Sequence, residues 1–275
     1  MPSFSPEPGV ALHYVDAPGA RPPVVLVHGW SMSSAAFAAQ LDALASAGHR
    51  VLALDLRGHG RSSPAARYLV EDHARDLAAL FERESLSRAV LVGWSLGGQV
   101  ALEALPALGD RVAALALLSA TPRFTQGDDW PHGLAASSVR ALAARVARRP
   151  EQALRRFFDA MFAPGELEAA ARERLAARVV AGPGAPGQDA AAALAGLDAF
   201  LAADQRPRLA AARAPALLVH GLDDAICLPA ASRFMHERLP GSRLELLAGL
   251  GHAPHLSRPA LVSELIVRFA SEALA

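Results

Sequence analysis

Short apolar or β-branched runs bounded by turn residues recur along the chain: Val10 to Val15, Val24 to Val27, Val51 to Leu54, Ala89 to Val92, Ala113 to Leu118, Ala216 to His220 and Arg243 to Leu247. Runs of this length and composition predict strands. Most are continuous rather than alternating, as expected of parallel strands covered on both faces. Between them the apolar positions repeat with helical spacing over Ala35 to Ala47, Val70 to Glu84, Leu96 to Leu108, Ala230 to Leu239 and Pro259 to Ala273. Alternating strands and helices predict an α/β fold with a doubly wound, mainly parallel sheet, its first strand antiparallel.

The alternation stops between Thr121 and Arg213, where four helix-like segments follow one another without a convincing strand. Gly182-Pro183-Gly184-Ala185-Pro186-Gly187 punctuates that stretch as a loop. A helical block inserted after strand six and before strand seven lies over the C-terminal ends of the strands, as a cap. Residues 1–120 and 214–275 are therefore expected to form the core, and residues 121–213 the inserted cap. No internal repeat interrupts this plan.

Composition narrows the class. A chain of 275 residues, 52% of them hydrophobic, can bury one large core. Basic and acidic residues balance at 27 each, so no global field draws the protein to nucleic acid or to an anionic membrane. All the basic residues are arginine and alanine is abundant, a bias that fits a GC-rich genome and carries no chemistry. The first residues lack the basic and apolar regions of a secretory signal, and no run approaches the ~18 apolar residues of a membrane span. A cytoplasmic, monomeric protein is expected. The single cysteine, Cys227, lies in an apolar stretch and reads as a buried structural residue that can form no internal disulfide.

The strongest chemical signal is Gly93-Trp94-Ser95-Leu96-Gly97, a G-x-S-x-G sequence that closes a predicted strand and opens a predicted helix. In so sharp a turn the serine takes a strained backbone conformation, and side chains at Gly93 and Gly97 would collide with the neighbouring strand and helix. Ser95 is thereby lifted clear of the sheet as a candidate nucleophile, with a helix N-terminus behind it to favour developing negative charge.

A serine hydroxyl needs a base to take its proton. His252, in Leu250-Gly251-His252-Ala253-Pro254, falls in a loop after the last strand and before the last helix, from which it can reach over the nucleophile. The acid that orients it belongs in the loop after the preceding strand, His220-Gly221-Leu222-Asp223-Asp224-Ala225-Ile226-Cys227-Leu228-Pro229. The usual form of that loop puts the acid on Asp224 and makes Asp223 a turn or capping residue. The acid fixes the tautomer of the histidine and stabilises the imidazolium. Attack on an ester creates an oxyanion that needs fixed donors. The backbone amides of Leu96 and of Trp30, in His28-Gly29-Trp30-Ser31-Met32, are the candidates, and losing one such donor typically costs about two to three orders of magnitude in rate. His28 reads as a structural anchor of its loop. Asp55 and His59, in Asp55-Leu56-Arg57-Gly58-His59-Gly60-Arg61-Ser62, could pass for a second acid–base pair, but that stretch reads as a tight connecting loop.

With these loops in place, nearly the whole chain resembles the α/β-hydrolases, whose order of Ser, Asp and His it shares. More narrowly it resembles the pimeloyl-[acyl-carrier protein] methyl ester esterases of biotin synthesis. That likeness rests on His28-Gly29-Trp30, on Gly93 to Gly98, on Ser119-Ala120-Thr121-Pro122-Arg123-Phe124 continuing to Asp128-Asp129-Trp130-Pro131, and on His252-Ala253-Pro254-His255-Leu256-Ser257-Arg258-Pro259. The third stretch is the most telling, because it serves no general purpose of the fold. One extra residue before Pro229 departs from the family's acid loop and leaves the choice between Asp223 and Asp224 open.

The resemblance implies a serine carboxylesterase that works through an acyl-Ser95 intermediate, without metal or organic cofactor, on an acyl ester presented by acyl-carrier protein. It implies an apolar acyl channel, for which Trp30, Trp94 and Phe157 are the candidate walls, and a basic cap surface. The cap segment carries Arg140, Arg145, Arg148, Arg149, Arg155, Arg156, Arg172, Arg174 and Arg178 against Glu151, Asp159, Glu166, Glu168 and Glu173. Arg148, Arg149, Arg155, Arg156 and Arg174 are the candidate carrier contacts. A broad esterase, a lactonase, a carbon–carbon bond hydrolase, or a receptor that only binds its ligand are the alternatives on the same scaffold.

Overall fold

The computed structural model describes residues 2–180 and 190–274; the loop expected over Gly182 to Gly187 lies outside them. The strands in chain order are β1 (Ser3–Glu7), β2 (Val10–Ala17), β3 (Arg21–Val27), β4 (His49–Leu54), β5 (Ala89–Trp94), β6 (Val112–Leu118), β7 (Ala216–Gly221) and β8 (Arg243–Leu247). The helices among the described residues are α1 (Ala38–Ser46), α2 (Val70–Arg83), α3 (Leu96–Leu108), α4 (Ala136–Arg148), α5 (Pro150–Asp159), α6 (Ala169–Val179), α7 (Ala190–Ala202), α8 (Pro229–His236), the single turn α9 (Pro254–Ser257) and α10 (Pro259–Leu274).

The strands form one sheet in the order β1-β2-β4-β3-β5-β6-β7-β8. β2 runs antiparallel to both of its neighbours, and from β4 through β8 all pairings are parallel. This is the doubly wound sheet of the α/β-hydrolase fold. The apolar runs did not reveal β1, a short edge strand whose Pro6 weakens the pattern, although Phe4 is buried on Tyr14 with ring centroids 6.0 Å apart. The central strands β5 and β7 are buried at every position, which explains why their sequences read as unbroken apolar runs.

Helix α2 shows the opposite pattern: Val70, His73, Ala74, Leu77, Leu80 and Phe81 form its buried stripe with the buried carboxylates Asp72 and Asp76, while Glu71, Arg75, Glu82 and Arg83 are exposed. The loop after β4 is pinned to it by a buried bidentate ion pair, Arg57 Nε and Nη2 each lying 2.7 Å from an Asp76 carboxylate oxygen.

Topology also fixes where a site can form. The chain winds from β3 outward to β4, then returns to place β5 on the other side of β3, with Val27 opposite Gly93. That reversal opens a crevice at the strands' C-terminal ends, bordered by the loops after β3 and β5. Helices α4 to α7 all lie between β6 and β7 in the chain.

The Asp128-Asp129-Trp130-Pro131 stretch belongs to a clasp where the chain leaves for these helices and comes back. Trp130 is fully buried and its indole N–H donates to Arg123 O at 2.9 Å. Arg206, on the returning segment, stacks over that indole and donates to the Asp129 carboxylate at 2.9 Å. Gln205 N donates to Pro122 O at 2.7 Å. The motif thus serves to join the two crossings.

Candidate active site

Ser95 sits between β5 and α3 with φ at +54°, in the left-handed region. Its surroundings enforce this. A β-carbon on Gly93 would lie 2.3 Å from Gly97 O, and one on Gly97 would lie 2.0 Å from Val27 O, so neither position accepts a side chain. Ser95 N donates to Leu118 O at 3.0 Å, fastening the turn to β6. The strain is held by hydrogen bonding and close packing, as functional turns require.

His252 and Asp224 meet as the spacing of the loops predicts. The imidazole Nδ1 lies 2.8 Å from Asp224 Oδ2, and both side chains are essentially without solvent exposure. A carboxylate only accepts, so the proton sits on Nδ1 and Nε2 keeps its lone pair. Of the two adjacent aspartates, Asp224 is buried and meets the imidazole, whereas Asp223 is exposed. Asp224 Oδ1 accepts from Ile226 N at 2.8 Å and from Cys227 N at 2.9 Å. Burial works to raise the pKa of Asp224, but charge interaction with His252 and hydrogen bonds from His220 and His252 hold it well below the usual carboxylate range. Cys227 lies in the same loop, where burial and the nearby Asp224 charge push its thiol well up, a shift that the neighbouring Ser95 hydroxyl opposes.

The His252 loop is held from two sides. Trp94 is fully buried, and its indole N–H donates to His252 O at 3.0 Å. It also packs edge-on against His255 with centroids 4.5 Å apart. Expected as a channel wall, Trp94 instead lies in the core under the His252 loop, because the strand that delivers Ser95 turns the preceding side chain inward. From the other side the segment after α5 reaches the loop: His252 N donates to Met161 O at 2.7 Å, and Gly251 N donates to Glu166 Oε2 at 2.8 Å.

The backbone amides of Trp30 and Leu96 have no acceptor among the described residues, the second because it opens a helix. Their loops adjoin at Gly29, where a β-carbon would lie 3.2 Å from Ser95 Cβ. His28 anchors this loop: Nδ1 donates to Gly29 O at 2.8 Å, and Nε2 accepts from Leu56 N at 3.0 Å. Asp55 and His59 do not pair. Asp55 takes His13 at 2.7 Å and Ser34 N at 2.7 Å, while His59 Nδ1 bonds Arg57 O.

Phe157 lines an apolar cavity of about 350 Å³ with Phe124, Val139, Leu142 and Ile226, and Arg145 and Arg156 also line it. Trp30 is buried behind this wall, its ring edge-on to Phe157 at 4.8 Å and its indole N–H on Ala193 O at 3.0 Å. The same two arginines border a second groove, with Arg148, Arg149 and Gln152. None of these four guanidinium groups has an acidic partner among the described residues. Arg155 differs. It donates to Glu173 at 2.9 Å and approaches Asp159 at 3.3 Å, so its charge is already answered, and Arg174 lies exposed on α6 outside the groove.

Two residues at the site went unread in the sequence. His220 reads only as the end of an apolar strand and Glu166 only as one acid among the cap's, yet both touch the loops of the acid and the base.

The fold and the serine elbow define an α/β-hydrolase, and the chain belongs to that family: the family profile described as alpha/beta hydrolase fold matches residues 22–259. Among curated proteins it is similar to the pimeloyl-[acyl-carrier protein] methyl ester esterase of Nitrosomonas europaea, 33% identical over 247 residues that cover 90% of this chain and 94% of the relative. The protein of the same name from Aromatoleum aromaticum is 37% identical over 257 residues, covering 90% of this chain and 99% of the relative. Among solved structures, an esterase from Exiguobacterium antarcticum superposes with a TM-score of 0.88 at 27% identity, over 96% of each chain. A bromoperoxidase from Bacillus anthracis gives 0.86 at 28% identity, over 95% of this chain and 96% of the other. No helix among the described residues is long and apolar enough to cross a membrane.

Proposed function

We propose that the chain is a serine carboxylesterase that hydrolyses the methyl ester of a pimeloyl group carried on acyl-carrier protein. Ser95 Oγ attacks the ester carbonyl while His252 Nε2 takes its proton, and the amides of Trp30 and Leu96 receive the oxyanion. Collapse of the tetrahedral adduct expels methoxide, which leaves as methanol with the proton from His252. Water then attacks the acyl-serine with His252 again as base, releasing the free carboxylate and restoring the Ser95 hydroxyl. Asp224 stays ionised throughout and stabilises the imidazolium.

The substrate assignment is carried by one observation: the apolar cavity, lined by Ile226 of the acid loop, shares Arg145 and Arg156 with the arginine groove, whose guanidinium groups have no acidic partner among the described residues. An acyl chain suits the first part. The second suits the phosphate of the carrier's prosthetic arm or the carrier's own acidic surface. The relatives named as pimeloyl-[acyl-carrier protein] methyl ester esterases support the same reading. The proposed carrier contacts are therefore Arg145, Arg148, Arg149 and Arg156; of the expected set, Arg155 is answered by Glu173 and Arg174 lies outside the groove. A monomer is sufficient for this chemistry.

Reversing charge at Arg148 and Arg156 tests the substrate. Hydrolysis of the carrier-bound ester should slow at least tenfold while p-nitrophenyl butyrate is spared, and the difference should shrink as salt rises. Equal losses on both substrates would remove the carrier from the proposal. Ser95→Ala should abolish the burst of p-nitrophenol; a surviving burst would remove the mechanism.

A further inference from the structure

We infer that His220 is a positioning residue of the catalytic apparatus, a second imidazole that holds the acid from the side opposite the base. The inference rests on the proposed catalytic reading and goes beyond it.

His220 is the penultimate residue of β7 and is wholly buried. Its Nε2 lies 2.7 Å from Cys227 O and 3.0 Å from Asp224 Oδ2. A carbonyl and a carboxylate can only accept, so Nε2 carries a proton, which it donates to Cys227 O with Asp224 Oδ2 close beside that bond. The other nitrogen, Nδ1, lies 2.6 Å from Ser232 Oγ on α8, and in the neutral imidazole it must accept the serine proton. Ser232 thus fixes the tautomer of His220 just as Asp224 fixes that of His252.

The consequence for the acid is full occupancy. Oδ1 takes two backbone amides of its own loop, and Oδ2 takes the N–H of His252 and has the Nε2 edge of His220 3.0 Å away. The amides fix one end of the carboxylate, and the two imidazoles pin the other against rotation about the Cβ–Cγ bond. Remove the His220 donor and Oδ2 is held only by the group it is meant to orient. The base would then steer the acid as much as the acid steers the base. His220 cannot substitute for His252, since both of its nitrogens are engaged and no solvent or substrate reaches it.

A core histidine that merely fills space and caps Cys227 O would behave differently on substitution. In His220→Gln the side-chain amide N–H can occupy the position of Nε2; in His220→Leu no donor remains. We expect His220→Gln to keep kcat on p-nitrophenyl butyrate within about fivefold of the parent, and His220→Leu to lower kcat by about 30-fold with KM within twofold. The low-field proton resonance of the His252 Nδ1–H should persist in the first and shift or vanish in the second. Ser232→Ala, a milder change at the far nitrogen, should lower kcat severalfold and move the same resonance.

A folded His220→Leu protein with parental kcat and an unmoved resonance would overturn the inference, as would equal losses in the Gln and Leu variants. Should His220→Leu fail to fold, Ser232→Ala decides: parental kcat with an unmoved resonance overturns, and the severalfold loss supports. Ser95→Ala run alongside separates the two levels. Its inactivity with unaffected His220 variants sinks the positioning role alone, whereas its retained activity sinks the catalytic reading itself.

Discussion

The carboxylate of Glu166 accepts the backbone N–H of Gly251, the residue before the base, at 2.8 Å, and that of Ala163 at 2.6 Å. No cation pairs with it among the described residues; the nearby Arg258 donates to the backbone carbonyls of Glu166 and Ser257. A buried carboxylate contributed by the segment between α5 and α6 therefore sets the height of the His252 loop. Glu166→Ala would leave two buried amides unsatisfied, at a cost of about 1–3 kcal/mol each. We predict a drop in thermal midpoint and a fall of about tenfold in kcat with little change in KM. Glu166→Gln, which keeps an acceptor oxygen, should recover most of the activity, and differential scanning fluorimetry with steady-state kinetics would check both.

Acid should unfold this protein well before its carboxylates are neutralised. Burial lowers His59 to about 4, helped by repulsion from His28, and lowers His255 to about 3, helped by His252. Burial likewise lowers His28 and takes His73 well below its ordinary value. The unfolded chain binds these protons below about pH 6.5 while the folded chain refuses them, so the stabilising contribution is complete above that pH and is lost as the pH falls towards 4. A single histidine held down to about 4 forfeits up to about 3 kcal/mol by pH 4. Urea midpoints should fall steeply between pH 6.5 and 4. His73→Phe, which removes a buried nitrogen without a partner, should flatten that slope.

The buried pair of Arg57 and Asp76 should be intolerant of one-sided loss. Arg57→Ala strands a carboxylate that is 1% exposed, and breaking such a pair typically costs about 3–5 kcal/mol. The double variant Arg57→Met with Asp76→Leu should be clearly more stable than either single change. Equilibrium unfolding of the set measures it.

Acyl preference should follow the volume of the cavity around Phe157. Leu142→Phe narrows that space from the α4 side. We predict about a tenfold loss in kcat/KM for p-nitrophenyl octanoate with the acetate unaffected, since a filled methylene site is worth about 1–3 kcal/mol. A series of p-nitrophenyl esters of rising chain length would show where the break falls.

What the sequence disclosed and what it withheld divide along physical lines. Helix α3 spans Leu96–Leu108, as its spacing predicts, and the elbow before it is legible because glycine, serine and glycine are all demanded by atoms a few residues away. The acid was ambiguous because Asp223 and Asp224 are neighbours, and only burial separates them. Arg155 and Arg156 posed the same problem on a helix. Successive residues point about 100° apart, so one turns to Glu173 and the other to the groove. His220 and Glu166 were invisible for a different reason: their partners sit on other segments, and no periodicity announces a contact made through a loop.

The clasp around Trp130 gives the molecule a single seam. Because Arg123, Asp129 and Arg206 tie the outgoing and returning chain together at the rim of the sheet, the sheet meets the same boundary whatever sequence fills the helices beyond it. Descendants of this scaffold can exchange much of that filling, and with it their choice of substrate, so long as the Met161 and Glu166 contacts that hold the His252 loop are kept.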